Sequence, residues 1–142
     1  MDSSSSPPVK FFLPSALILA ILGWAGVILI GQYMPADAGG RWAMFFALMV
    51  AVTGTCMPVA AFLNRRFPSK PPATAGVVLR ESIWVGVYVT TVAWLQYIYI
   101  NFFEEAVPLA MAVMLAVALV IIEYLLRLRE KSQWKPEHGS QQ

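Results

Sequence analysis

A few polar side chains within or beside long apolar runs are the groups in this chain best placed to do chemistry. Glu123 lies in the stretch VIIEYLLRLR, and Thr91 and Gln96 lie in the apolar run that begins at Ile83. A carboxylate in apolar surroundings is a candidate for carrying protons or ions, because burying it without a partner is costly. An amide there needs hydrogen-bond partners, which a ligand or a neighbouring helix can supply. Thr91 and Gln96 are therefore candidate polar contacts.

The sequence around Glu123 favours a structural role over proton transfer. Arg127 follows four residues later, at the spacing of an ion pair on one helix face. Other charges border the neighbouring runs, so we predict an interfacial charge cluster that holds helix ends together: Arg66, Arg80, Glu81, Glu123 and Arg127. Proton transfer by Glu123 is the alternative. For Gln96, an interhelical hydrogen bond is favoured over contact with a ligand such as a quinone or a lipid headgroup.

Residue types that serve catalysis and metal binding are scarce. The one histidine, His138, follows the last apolar run, and the one cysteine, Cys56, lies inside an apolar run. No Ser/His/Asp or Cys/His set and no paired-cysteine site can be assembled from them. No glycine-rich phosphate loop precedes a helix. We therefore predict that the chain is not an enzyme and has no catalytic, cofactor or metal site. The net charge of +2 gives no argument for a nucleic-acid partner.

The elements that carry these residues follow from an unusually apolar composition. Of 142 residues, 58% are hydrophobic and 13% are charged, whereas soluble domains carry about 25% charged residues. Four runs with at most one charge each are long enough to cross a hydrocarbon core of roughly 30 Å. The expected fold is all-α, a polytopic membrane domain over 11–130 with an up-down bundle of transmembrane helices at about 11–33, 42–63, 83–103 and 106–129. Polar tails at 1–10 and 131–142 are predicted to be flexible.

Lysine and arginine are distributed asymmetrically between the two ends of these predicted helices. If the N-terminus is cytoplasmic, nine of the ten basic residues are cytoplasmic: Lys10, Arg65, Arg66, Lys70, Arg80, Arg127, Arg129, Lys131 and Lys135. Arg41 is the exception. Because cytoplasmic loops are enriched in lysine and arginine, we expect both termini in the cytoplasm and a multi-pass protein of the plasma (inner) membrane.

A cleaved signal peptide is the alternative interpretation of the first apolar run. The sequence Ala36, Asp37, Ala38 resembles a small-residue cleavage site. The run at 11–33 is, however, longer than the roughly 7–15 residues of a signal-peptide core. A retained membrane helix is therefore favoured.

Small residues recur every four positions along the second run and predict a helix-packing ridge. The ridge consists of Ala43, Ala47, Ala51 and Thr55. In lipid, helices associate through close backbone approach and interhelical hydrogen bonds, because hiding apolar surface gains little there. Gly23 and Gly26 narrow the middle of the first run in the same way. The ridge indicates a helix interface and no activity.

Two segments resemble a group of known proteins. RESIWVGVYVTTVAWLQ together with IEYLLRLRE is similar to uncharacterised small four-helix membrane proteins of Chloroflexota-type bacteria. The resemblance covers most of residues 76–131 and rests on apolar composition with a few Trp, Gln and Arg positions. It implies a bacterial inner membrane and carries no activity.

Two functions fit these observations. The first is a non-catalytic membrane protein, either an accessory or assembly subunit or a self-associating bundle, with the lipid bilayer and other membrane subunits or itself as partners. The second is a small oligomeric transporter or channel that uses Glu123 and Gln96. A continuous polar path across the bilayer would distinguish the second from the first, and the sequence shows scattered polar groups instead.

Overall fold

Four long α-helices make up nearly all of the described chain. The structure is a computed structural model that describes residues 8–35, 37–67 and 73–133. The helices are α1 (Val9–Tyr33), α2 (Ala38–Arg66), α3 (Ala75–Phe103) and α4 (Leu109–Gln133). Each is long and apolar enough to cross a membrane, and a helix satisfies its backbone hydrogen bonds internally where no water is present. The all-α prediction with four such helices is confirmed.

The predicted tails fall mainly outside the described residues. Residues 1–7 and 134–142 are not described, so the flexibility predicted for them stays a prediction. The inner part of each predicted tail is helical, because α1 begins at Val9 and α4 continues to Gln133.

Consecutive helices run antiparallel to one another. Phe12 near the start of α1 packs in one cluster with Ala61 near the end of α2. Glu81 near the start of α3 is hydrogen-bonded to Asn64 near the end of α2. Among the described helices, close backbone approach occurs between neighbours in sequence: α1 with α2, α2 with α3, and more sparsely α3 with α4. The ends of α2 and α4 therefore lie beside the starts of α1 and α3.

The contact between α1 and α2 is a direct approach of two backbones. A Cβ atom added to Gly23 would lie 2.3 Å from the backbone nitrogen of Ala51, and one added to Gly54 would lie 2.5 Å from that of Ala20. Such separations leave no room for any side chain at either glycine. This is the packing expected of helices that associate in lipid through small residues.

The predicted small-residue ridge lies largely at this contact. Ala47 and Ala51 are buried, with Ala51 fully inaccessible. Thr55 accepts a hydrogen bond from the indole nitrogen of Trp24 on α1 at 3.2 Å. Its hydroxyl also donates to the carbonyl oxygen of Ala51 at 2.8 Å. Ala43, at the start of the ridge, is half-buried.

The opposite side of α2 receives α3. A Cβ atom added to Gly86 would lie 2.3 Å from the Thr53 hydroxyl oxygen and 3.0 Å from the Met49 carbonyl oxygen. A small core of α1, α2 and α3 side chains lies nearer the charged end of the helices and consists of Phe12, Ala16, Met57, Ala61 and Val78. The helix α2 is therefore enclosed on two sides.

The helix α4 is peripheral. None of its residues is buried, and large apolar side chains such as Leu109 and Met114 are more than two-thirds exposed. In water this surface would be unfavourable, but a hydrocarbon environment removes that penalty. The position of α4 therefore depends on a few specific contacts with α3 and α2.

The structure corrects the predicted starts of three helices. The helix α2 begins at Ala38, not 42, because the Asp37 carboxylate caps it by accepting from the Gly40 amide at 2.7 Å. The helix α3 begins at Ala75, not 83, where the Thr74 hydroxyl accepts from the Val77 amide at 3.4 Å. The predicted starts of α2 and α3 were too late because the prediction began each helix after the charged residues Arg41, Arg80 and Glu81, which are in fact helical. The helix α4 begins at Leu109, not 106.

Candidate functional site

A cluster of charged and amide side chains joins α2, α3 and α4 at one end of the molecule. The antiparallel packing brings the last turn of α2, the second turn of α3 and the last turns of α4 to the same level. The charge cluster consists of Asn64, Arg80, Glu81, Glu123, Arg127 and Glu130. Its charged side chains are 17–41% exposed, so most of each is withdrawn from solvent.

Arg80 joins α3 to α4. Its Nε donates to Oε2 of Glu123 and its Nη2 donates to Oε1 of the same carboxylate, both at 3.0 Å. Its Nη1 donates to Glu130 at 2.6 Å. The planar guanidinium group matches a carboxylate edge in this two-bond geometry, which is stronger and more directional than a single bond.

Arg127 extends the cluster to α2. Its Nε donates to Oε1 of Glu123 at 3.2 Å, within α4 at the predicted four-residue spacing. Its Nη2 donates to the Asn64 side-chain oxygen at 3.2 Å and to a Glu81 carboxylate oxygen. One guanidinium group therefore contacts three helices.

Asn64 is the polar residue of α2 that completes the cluster. Its side chain is buried, and its Nδ2 donates both to Glu81 and to the carbonyl oxygen of Ala60, the latter at 3.0 Å. Its oxygen accepts from Arg127. Both ends of the amide are thus used, which removes the cost of burying it.

The charges in the cluster nearly balance. Two arginines face three glutamates, and Glu123 accepts three N–H bonds from Arg80 and Arg127. A buried charge is tolerated when it is paired and hydrogen-bonded in this way. The geometry is that of a clamp between helix ends, because both oxygens of Glu123 accept from arginines of the protein.

A groove between α3 and α4 opens beside the charge cluster. It has a volume of about 270 Å³ and is lined by Glu81, Trp84, Val85, Tyr88, Ala116, Leu119, Val120 and Glu123. Its exposed lining is almost entirely apolar. The Tyr88 hydroxyl crosses to α4 and donates to the Ala112 carbonyl oxygen at 3.4 Å. The two helices therefore contact each other at both ends of the groove, through the Arg80–Glu123 pair and through Tyr88, and are separated between these contacts.

The predicted intramembrane polar contacts have different surroundings. The side-chain oxygen of Gln96 accepts from the backbone amide of Val107, in the turn before α4, at 3.1 Å. Gln96 therefore fastens the α3–α4 turn. Thr91 is half-buried on α3. Two other groups of α3, the Trp84 indole nitrogen and the Thr90 hydroxyl, are buried without a hydrogen-bond partner among the described residues.

Four of the five residues predicted for the charge cluster are brought together, and Arg66 is not. Arg66 is exposed and makes no salt bridge with any described residue. It stands two residues beyond Asn64, about 200° around the helix, so it faces away from the cluster. The residue of α2 that does join the cluster is Asn64. Its spacing from Met57 and Ala61 places all three on one face of α2, which is the signal that could have identified it.

Glu130 was also missed, although the sequence contained a signal for it. It follows Glu123 by seven residues and Arg127 by three, so the three side chains share one face of α4. The predicted fourth helix ended at about residue 129, one residue before Glu130.

No site for a metal ion is found within 8–35, 37–67 and 73–133, where no three His, Cys, Asp or Glu side chains are grouped suitably. Cys56 is half-buried in α2 and is a free thiol. Comparisons of the chain with protein-family models, with curated proteins and with solved structures found no match.

Proposed function

We propose that the chain is a non-catalytic integral membrane protein that acts by helix association. In this proposal it is an accessory or assembly subunit of a membrane complex, or a bundle that associates with itself. One observation carries the proposal: Glu123 and Gln96, the two residues that a transporter or channel would use, are bonded to other groups of the protein. Glu123 is bonded to Arg80 and Arg127, and Gln96 is bonded to Val107.

The open arrangement of the helices supports association with further membrane helices. The helix α4 buries none of its residues against the rest of the chain. Association in lipid relies on packing and on a few polar contacts, and α1 and α2 already show such packing within the chain. The partners in this proposal are therefore lipid and other membrane helices, from another subunit or from a second copy.

A transport path through Glu123 and Gln96 is less well supported. Glu123 is bound at the level of Arg80, and Gln96 lies sixteen residues further along α3, about 24 Å at the rise of an α-helix. The groove between α3 and α4, which begins beside Glu123 and extends toward Gln96, has an almost wholly apolar lining. A solute or proton would find no continuous row of polar groups between the two residues.

The membrane and the orientation belong to the same proposal. The charge cluster lies at the end that carries Arg65, Arg66, Arg129 and Lys131, whereas the opposite end carries Arg41 with three acidic residues. Because positive charge marks the cytoplasmic side, we assign both termini to the cytoplasm of a bacterial inner membrane. Accessibility labelling of cysteines introduced at Ser3 and Glu105 tests this assignment, with Glu105 expected to be labelled from outside in intact cells.

The native mass of the protein, extracted from its own membrane in mild detergent, tests the proposed function. The chain, 15.7 kDa without its tag, is expected to migrate with a stoichiometric partner or as several copies, and mass spectrometry of the co-migrating proteins identifies which. A lone monomer across several mild detergents would contradict the proposal. Flux in proteoliposomes that is abolished by Glu123→Gln, with assembly intact, would favour the transporter instead.

A further inference from the structure

A small aromatic pocket lies at the end of the helices opposite the charge cluster. It is formed by the first turns of α2 and the last turns of α3, has a volume of about 140 Å³, and is lined by Ala38, Arg41, Trp42, Phe45, Trp94 and Tyr97. One cation and four aromatic rings therefore surround a space of a few atoms. Nothing in the charge cluster reaches this end of the molecule.

Arg41 is held in position by neutral groups. Its Nη1 donates to the Tyr97 hydroxyl oxygen at 2.6 Å, and its Nε donates to the Asp37 carbonyl oxygen at 3.1 Å. Its guanidinium carbon lies 5.6 Å from the centre of the Tyr97 ring. None of the salt bridges between described residues includes Arg41. The guanidinium group is thus oriented, with Nη2 unused by these bonds.

In the membrane setting of the proposed function, the pocket lies at the level of the lipid headgroups. It is at the ends of two helices that are long and apolar enough to cross a membrane. Tryptophan and tyrosine are enriched at this level, because their rings combine an apolar body with a polar edge. A phosphate group at the same level can accept charge-assisted bonds from arginine.

The charges at this end of the helices favour a zwitterion over a simple anion. Arg41 shares this end with Asp37, Glu104 and Glu105, so carboxylates outnumber the cation three to one. A free anion would be repelled by this excess. A molecule with both a phosphate and an ammonium group satisfies both signs, and the faces of Trp42 and Trp94 also attract an ammonium group.

We propose that this pocket binds the headgroup of a zwitterionic phospholipid. The phosphodiester accepts bonds from the guanidinium group of Arg41, and the ammonium group lies over the tryptophan rings. The acyl chains continue along the apolar surface of α2 and α3. This lipid site rests on the membrane setting of the proposed function, but it does not depend on the proposed helix association or on the charge cluster.

Native mass spectrometry of the full chain with added lipids tests the proposal. The probes are dioleoyl phosphatidylethanolamine, dioleoyl phosphatidate, which lacks the ammonium group, and inorganic phosphate. The wild-type chain is expected to retain phosphatidylethanolamine at one copy per chain and to bind phosphatidate several-fold more weakly. Arg41→Gln is expected to weaken retention about tenfold, since a hydrogen bond to a charged group is lost. Inorganic phosphate is expected not to compete.

Matched variants separate a lipid site from a change in folding. Arg129→Gln removes an exposed arginine at the other end and is expected to leave retention unchanged. Tyr97→Phe removes just the hydroxyl group that orients Arg41 and is expected to weaken retention a few-fold with helicity intact by circular dichroism. Equal retention by wild type, Arg41→Gln and Tyr97→Phe would overturn the site. Equal binding of phosphatidate, or displacement by inorganic phosphate, would overturn the assignment to a zwitterionic lipid.

Discussion

Arg80 binds both oxygens of the Glu123 carboxylate, through Nε and Nη2, with two bonds of 3.0 Å. The pair links the second turn of α3 to Glu123 in the second half of α4. It matters because α4 buries none of its own residues. The position of this helix therefore depends on polar contacts at its two ends more than on packing along its length.

Replacing Glu123 by glutamine is expected to loosen α4. The variant leaves Arg80 and Arg127 with one charged acceptor fewer, in a cluster that is mostly withdrawn from solvent. We expect a loss of about 2 kcal/mol in the free energy of unfolding. Titration with SDS, followed by tryptophan fluorescence, measures it. Glu105→Gln, at an exposed residue of the α3–α4 turn, is the control and is expected to change stability by less than about 0.5 kcal/mol. An equal effect of the two variants would contradict the structural role of Glu123.

Replacing Gly23 by alanine is expected to separate α1 from α2. The new Cβ atom would lie 2.3 Å from a backbone nitrogen of Ala51, so one helix must move. We expect a loss of about 1–3 kcal/mol, the usual cost of overpacking. Gly26→Ala is a matched control, because its Cβ atom would lie 3.2 Å from the Ala47 Cβ atom and needs only a small adjustment. Unfolding midpoints that shift equally would show that the two backbones do not meet at Gly23.

Replacing Gln96 by leucine is expected to loosen the turn between α3 and α4. The change removes the acceptor for the Val107 amide, at a cost of about 1 kcal/mol. Hydrogen exchange measured by mass spectrometry should be faster in peptides that cover the turn. Asn101→Leu is the control, because the Asn101 side chain bonds within its own helix to the Tyr97 carbonyl oxygen. Unchanged exchange in Gln96→Leu would show that this hydrogen bond does not hold the turn.

The number, order and direction of the helices could be predicted from the sequence because they depend on local composition. Runs with at most one charge mark spans, and short connectors between spans make neighbours antiparallel. The starts of α2 and α3 could not be predicted in the same way. Arg41 and Arg80 are charged residues inside helices, and their partners, Tyr97 and Glu123, come from other helices.

The candidate site was predictable to the extent that its residues share a helix. Glu123 and Arg127 are four residues apart, and their contact follows from that spacing. The choice between Asn64 and Arg66 depended on which face of α2 meets α3. The prediction chose Arg66 because it is charged. In the structure, Asn64 joins the cluster instead, because it is buried on the same face of α2 as Met57 and Ala61.

The double-mutant cycle of Arg80 and Glu123 tests most directly the central claim that these polar residues hold helices together. Arg80→Gln, Glu123→Gln and the double variant are compared with wild type by their free energies of unfolding in detergent. The account predicts that the double variant loses about 1–2 kcal/mol less than the sum of the two single variants, because each single change already breaks the same pair. Losses that add to within about 0.5 kcal/mol would contradict it, since residues that do not stabilise each other cannot clamp α4 to α3.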